Sequence, residues 1–138
     1  MKTLLSMVLL LITMQIKAYC QSFDITQPPF GLSENEIVNN LSKRSPVETL
    51  IERGDKKNGV VSLLYMNTDL VNKAYIFLND KCIEFTTGAA LAYLPKFIQL
   101  IGKDYKKVGD NKWYDKRFTY QITIKTDENN FYGVFEKL

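Results

Sequence analysis

The chain has 138 residues, enough for one domain with a packed core, and its 18 basic and 15 acidic residues give a formal charge of +3. It contains no histidine and two cysteines. That composition removes imidazole chemistry, allows at most one internal disulfide, and gives no general electrostatic case for nucleic acid as a partner.

Residues 1–20 read as a secretory signal peptide. Met1-Lys2 is a short positive start, and Leu4 to Ile16 is almost unbroken apolar. The run is shorter than the ~20 residues that cross a bilayer, and nothing later resembles a transmembrane span. Ala18 and Cys20 are small residues at a signal-peptidase spacing, so cleavage is expected after one or the other. Acylation at Cys20, as in a lipoprotein, is disfavoured. Tyr19 is bulky where a lipobox is small, and Lys17 stands where it carries leucine. Losing residues 1–20 takes away Lys2 and Lys17 and no acid, so the charge falls to +1. Cys82 is then alone, and is expected as a small buried hydrophobe.

Residues 21–31 read as a tether, with Pro28-Pro29, no periodicity, and Phe23 or Phe30 available to pin it to the domain. A single domain is expected over 32–138. Ser33 and Glu36 form a capping box, with Leu32 placed to staple onto Ile37, and predict a short helix over about 33–42. Segment 47–53 carries both a second capping-box spacing and an alternation of Val47, Thr49 and Ile51; the alternation favours a strand, paired as a hairpin with 60–66 across a turn-rich 54–59. The most apolar stretch, Ala74 to Phe85, reads as a hairpin around Asn79-Asp80. Strict alternation puts Ala74, Ile76, Leu78, Ile83 and Phe85 on one face, and Tyr75, Phe77, Cys82 and Glu84 on the other. Both sets are apolar enough to predict cover on each side. Gly88-Ala89-Ala90 then leaves the sheet.

Leu94, Phe97, Ile98, Ile101, Tyr105 and Val108 recur at helical spacing, with Pro95 in the first turn and Gly109 as a C-cap, and predict the main amphipathic helix over about 95–108. Residues 110–115 read as a polar loop holding Trp113. Alternation from Phe118 to Lys125 and a return over 131–138 predict a C-terminal hairpin. No internal repeat shows. The fold class is therefore α+β: an antiparallel sheet of five to six strands, a meander plus a C-terminal hairpin, with the 95–108 helix packed on a face.

Candidate catalytic, cofactor-binding and metal-ligating residues are none. No thiolate or imidazole cluster, Gly-x-Ser-x-Gly, Ser-x-x-Lys, phosphate-binding glycine loop or EF-hand spacing occurs. One cluster suits recognition: Lys112, Trp113, Tyr114, Lys116 and Arg117 interleave cations with aromatics, a combination that grips anions, glycans or protein surfaces. A helix before a β-meander is similar in element order to small exported bacterial modules that bind other proteins, such as the β-lactamase-inhibitor fold; the likeness carries no residues across. The expectation is a small exported, non-catalytic binding or accessory protein, periplasmic or secreted. Its partner would be another protein or a glycan of the envelope or beyond the cell, not nucleic acid. The alternative is an inhibitor or immunity-type protein that blocks an enzyme.

Overall fold

The structure, a computed structural model, describes residues 28–138. The expected signal peptide and most of the tether lie outside them. Helix α1 (Glu34–Ser42) is followed by β1 (Glu48–Lys56), β2 (Val60–Asn67), β3 (Asn72–Leu78) and β4 (Lys81–Ala90). Helix α2 (Leu94–Asp104) is followed by β5 (Tyr105–Gly109), β6 (Lys112–Asp115), β7 (Tyr120–Thr126) and β8 (Asn130–Lys137). All eight strands form one antiparallel sheet in the order β1-β2-β3-β4-β8-β7-β6-β5.

The fold repeats although the sequence does not. Each half is a helix followed by a four-stranded meander, and the two meanders meet in reversed order along β4 and β8. An approximate twofold axis through that pair therefore relates them, and it leaves both helices on one face.

Local chemistry explains why the chain takes these elements. Ser33 caps α1: its backbone N–H donates to Glu36 Oε2 at 2.8 Å, and its Oγ accepts the Glu36 N–H at 3.3 Å. Asn79 and Asp80 take left-handed φ values of 49° and 59°, the conformation that lets a two-residue turn follow the sheet twist. Of the two patterns carried by 47–53, the strand prevails.

Five expectations are corrected. The sheet has eight strands rather than five to six, because α2 ends at Asp104 and the predicted last helical turn becomes β5. Tyr105 fits either period. Pairing with β6 decides for strand: Tyr105 lies opposite Asp115 and drives its ring against Phe135, 6.3 Å away. Gly109 therefore does not close the helix, whose C-cap is Tyr105. Residues 112–115, read as loop, are β6, and Gly88-Ala89-Ala90, read as leaving the sheet, stay in β4. The hairpin faces also change. A bulge opposite Ile76 and Phe77 takes Ile83 out of the alternation, so Phe85 joins Tyr75, Phe77 and Cys82, while Glu84 joins Ala74 and Ile76.

The covered face holds the core. Rings run across it from Tyr65 to Tyr75 to Phe85 to Phe135, with centroids 5.1–6.2 Å apart, the range in which edge and offset contacts are favourable. Ile37 and Leu41 of α1, and Phe97, Leu100 and Ile101 of α2, close over it. Of the predicted α2 stripe, Ile98 and Val108 are exposed instead. Gly133 is the point of closest helix approach: a Cβ there would sit 2.6 Å from Phe97 Cζ. The start of the described chain docks on the same face. Phe30 stacks on Tyr120 at 5.2 Å, the Gly31 N–H donates to the Cys82 carbonyl, and Leu32 accepts the Cys82 N–H.

The expectation of cover on both faces is not met. Among the described residues nothing lies over the second face. Register gives its central rows as Leu64, Ala74, Thr86, Val134 and Thr123 beside Ser62, Ile76, Glu84, Glu136, Gln121 and Tyr114. Met66, Asn72 and Tyr132 continue it toward one end. Most of these side chains are half-buried by their neighbours in the sheet.

Candidate functional site

Four surfaces or clusters hold groups capable of chemistry or recognition. The sequence-predicted cluster at 112–117 is split by the two-residue period of β6. Trp113 points to the covered face and is 4% exposed, packed in the core with Lys107 Nζ 5.7 Å from its ring centre. Lys112 and Tyr114 point to the open face. Lys116 and Arg117 stand exposed on the β6–β7 turn. Tyr114, Lys112, Lys116 and Arg117 therefore lie outside the core, and Trp113 lies within it.

That turn is built around Asp115. Its Oδ1 accepts the backbone N–H groups of Thr119 and Tyr120 at 2.6 and 2.8 Å, and its Oδ2 accepts that of Arg117 at 3.3 Å. Burial pushes the Asp115 carboxyl upward, but these donors and the Arg117 charge outweigh it and hold the group below its usual range. These three backbone bonds make Asp115 the point that fixes the loop.

The alternation from Phe118 to Lys125 predicts Phe118 in a strand with one wet face. Phe118 sits instead on the tip of this turn, 60% exposed, with φ at 53°. Its N–H donates to the Asp115 carbonyl at 3.0 Å, and its ring meets Tyr114 edge-on at 5.9 Å and 81°. A bulky side chain at positive φ is a steric outlier. The available signal was Asp115, whose short carboxylate favours a turn over two to four following residues.

Beside the turn lies a cleft of about 480 Å³ lined by Pro28, Asp104, Tyr105, Asp115, Lys116, Arg117, Thr119 and Tyr120. Burial first, with Asp115 and Asp104 nearby, pushes the Tyr105 hydroxyl up to about 12. Tyr105 is thus a neutral hydrogen-bonding group at ordinary pH.

The other ionisable cluster is internal. Lys73 Nζ pairs with Glu48 Oε1 beneath the covered face, their side chains 0% and 1% exposed. Burial pushes the Lys73 amine down, opposed by its hydrogen bond and attraction to Glu48. Glu48 Oε2, Asn67 Nδ2 and Thr87 Oγ1 lie near it in the sheet, buried and without hydrogen-bond partners among the described residues. The pair is sealed from solvent, so a substrate would reach it only through a large opening. Cys82 is equally enclosed. Its Sγ donates toward the Glu84 carbonyl at 3.4 Å, and burial pushes the thiol up to about 12, leaving little thiolate.

No protein-family model, curated protein or solved structure matches the chain. Among the described residues no helix is long and apolar enough to cross a membrane, and no three acidic or cysteine side chains gather as metal ligands.

Proposed function

We propose that this is a small exported, non-catalytic binding protein that recognises a folded protein partner through the open face of its sheet. The carrying observation is that face. Leu64, Met66, Ala74, Ile76, Tyr132 and Tyr114 stand half-buried on a layer with no second layer over it among the described residues. Soluble proteins rarely leave a broad apolar patch without a use. Glu84 and Glu136 lie directly opposite each other in its middle, and Gln121 Nε2 donates to Glu136 at 2.6 Å. Like charges facing across strands destabilise a sheet, so a basic group from a partner would relieve them there. Export rests on the leader-like sequence of residues 1–20. The absence of catalysis rests on the sealed Glu48–Lys73 pair and the backbone-engaged Asp115.

An inhibitor or immunity-type role is the second reading. The rigid Asp115 turn favours it, since enzyme blockers present preformed protrusions.

The test is affinity capture from the source cells' extracellular fraction with the native mature chain and with Ile76→Arg. The expected result is one stoichiometric partner held by the native protein and lost by a variant that still folds. Identical capture by both proteins, or turnover of a substrate by the purified chain, rejects the proposal.

A further inference from the structure

The β6–β7 turn has a counterpart across the twofold axis. At the end of β2, Asn67 Oδ1 accepts the N–H groups of Asp69 and Val71 at 3.0 Å each, and the Leu70 N–H donates to the Asn67 carbonyl at 3.1 Å. Leu70 has φ at 60° and is 69% exposed. The same scheme, an Asx side chain collecting backbone donors and a left-handed residue three positions later, is thus built twice. The duplicated fold dictates the left-handed backbone at both tips. It does not dictate an aromatic residue, because glycine or asparagine would sit there with less strain.

What surrounds the two tips differs. Leu70 follows Thr68 and Asp69. Phe118 follows Lys116 and Arg117, rests on Tyr114 of the open face, and has Lys106 opposite Tyr114 and Lys112 two residues along the same strand face. The one acid within the turn, Asp115, directs its oxygens at backbone donors. An exposed ring is therefore held against Tyr114 at the border of the open face, with Lys116 and Arg117 before it in the turn and Lys106 and Lys112 on the strands beside Tyr114. The left-handed backbone is shared with Leu70, so what sets Phe118 apart is its ring and its cationic neighbours, and a rigid aromatic in a fixed pose loses little freedom on binding.

We infer that Phe118 is a preformed anchor that seats in an apolar socket with an acidic rim on a folded protein partner, with Lys106, Lys112, Lys116 and Arg117 reading that rim. This rests on the open-face reading above and names the chemistry of the partner.

The experiment uses the full mature chain carrying benzoylphenylalanine at 118 or, as a control of equal backbone and exposure, at 70. Each is irradiated with the source cells' extracellular proteins. The expected product is one protein crosslinked from 118 and not from 70, the same one that Ile76→Arg fails to capture, and lost when salt screens the cations. Against that protein, Phe118→Asn should weaken binding by roughly thirty-fold or more, as central aromatic anchors do. Lys116→Glu with Arg117→Glu should slow association by about tenfold, and Leu70→Asn should leave binding unchanged. Phe118→Asn should keep or slightly raise the melting temperature, because asparagine tolerates the left-handed backbone. A marked fall in melting temperature would make Phe118 a structural residue and overturn the inference. If Phe118→Asn binds normally while Ile76→Arg does not, the anchor is wrong and the open-face reading stands; if both bind normally, both fail. Flotation of the native chain with phosphatidylglycerol vesicles, lost on Phe118→Asn, would make the tip a membrane contact and also overturns it.

Discussion

Removing one partner of the Glu48–Lys73 pair should be far more damaging than removing both. Both side chains are sealed from water, so Lys73→Met leaves Glu48 a buried carboxylate without its lysine, and its Oε2 already accepts no hydrogen bond among the described residues. Such one-sided losses cost about 3–5 kcal/mol. Domains of this size are stable by about 5–15 kcal/mol, so the variant should lose a fifth or more of its stability. The double variant Glu48→Leu/Lys73→Met replaces the pair with apolar side chains of similar volume. It should recover most of that loss and could exceed the native protein by about 1–4 kcal/mol, since under-satisfied buried pairs gain little over well-packed apolar groups. Urea unfolding of native, both single and double variants completes the cycle. A single variant that loses less than about 1 kcal/mol, the level of an exposed pair, would show that water reaches Glu48, and would remove the main argument that this cluster is closed to substrates.

Three further outcomes follow from the same geometry. Trp113→Ala should destabilise by about 3–5 kcal/mol, because Trp113 fills core space rather than recognising a ligand; thermal melting checks it, and a variant that melts normally but loses a partner would reverse the assignment. Cys82 should resist iodoacetamide at pH 8 in the folded chain and react once urea unfolds it, because its buried thiol is pushed up to about 12; alkylation followed by mass spectrometry reads this, and rapid labelling of the folded chain contradicts it. Asp115 has a lowered carboxyl pKa, so the folded state takes its proton less readily than the unfolded state. The stability it contributes is present above about pH 3.9, the unfolded value, and is lost as pH falls through the folded value. Urea midpoints measured from pH 7 to pH 2 should fall less steeply in Asp115→Asn, with Asp127 and Glu36, also lowered by backbone N–H donors, supplying the remaining slope.

Local chemistry was legible where it is sufficient. The Ser33–Glu36 box and the Asn79-Asp80 turn each depend on a few adjacent residues, and each appears where the sequence puts it. The misread elements depend on partners distant in sequence. Tyr105 and Val108, three residues apart, fit a helical period, and only β6 alongside makes the segment a strand. The bulge at Ile83 cannot be seen in β4 alone, yet it decides on which side Phe85 lies. For the candidate site, the cluster at 112–117 was found as composition and then divided by the strand period that composition ignores. The open face was missed because Ala74, Ile76 and Leu64 look like core residues until the layer that would cover them is found to be lacking among the described residues. Phe118 was missed because its alternation with Tyr120, Ile122 and Ile124 continues a true strand pattern one step past the strand's first residue.

The claim that the open face is the recognition surface is tested most directly by hydroxyl-radical footprinting of the free and partner-bound chain. Met66, Tyr114, Tyr132 and Phe118 should be oxidised in the free protein and protected together on binding, while Phe97 and Trp113 stay unlabelled throughout. Protection confined to the helices, with Met66 and Tyr132 labelled equally in both states, would contradict it.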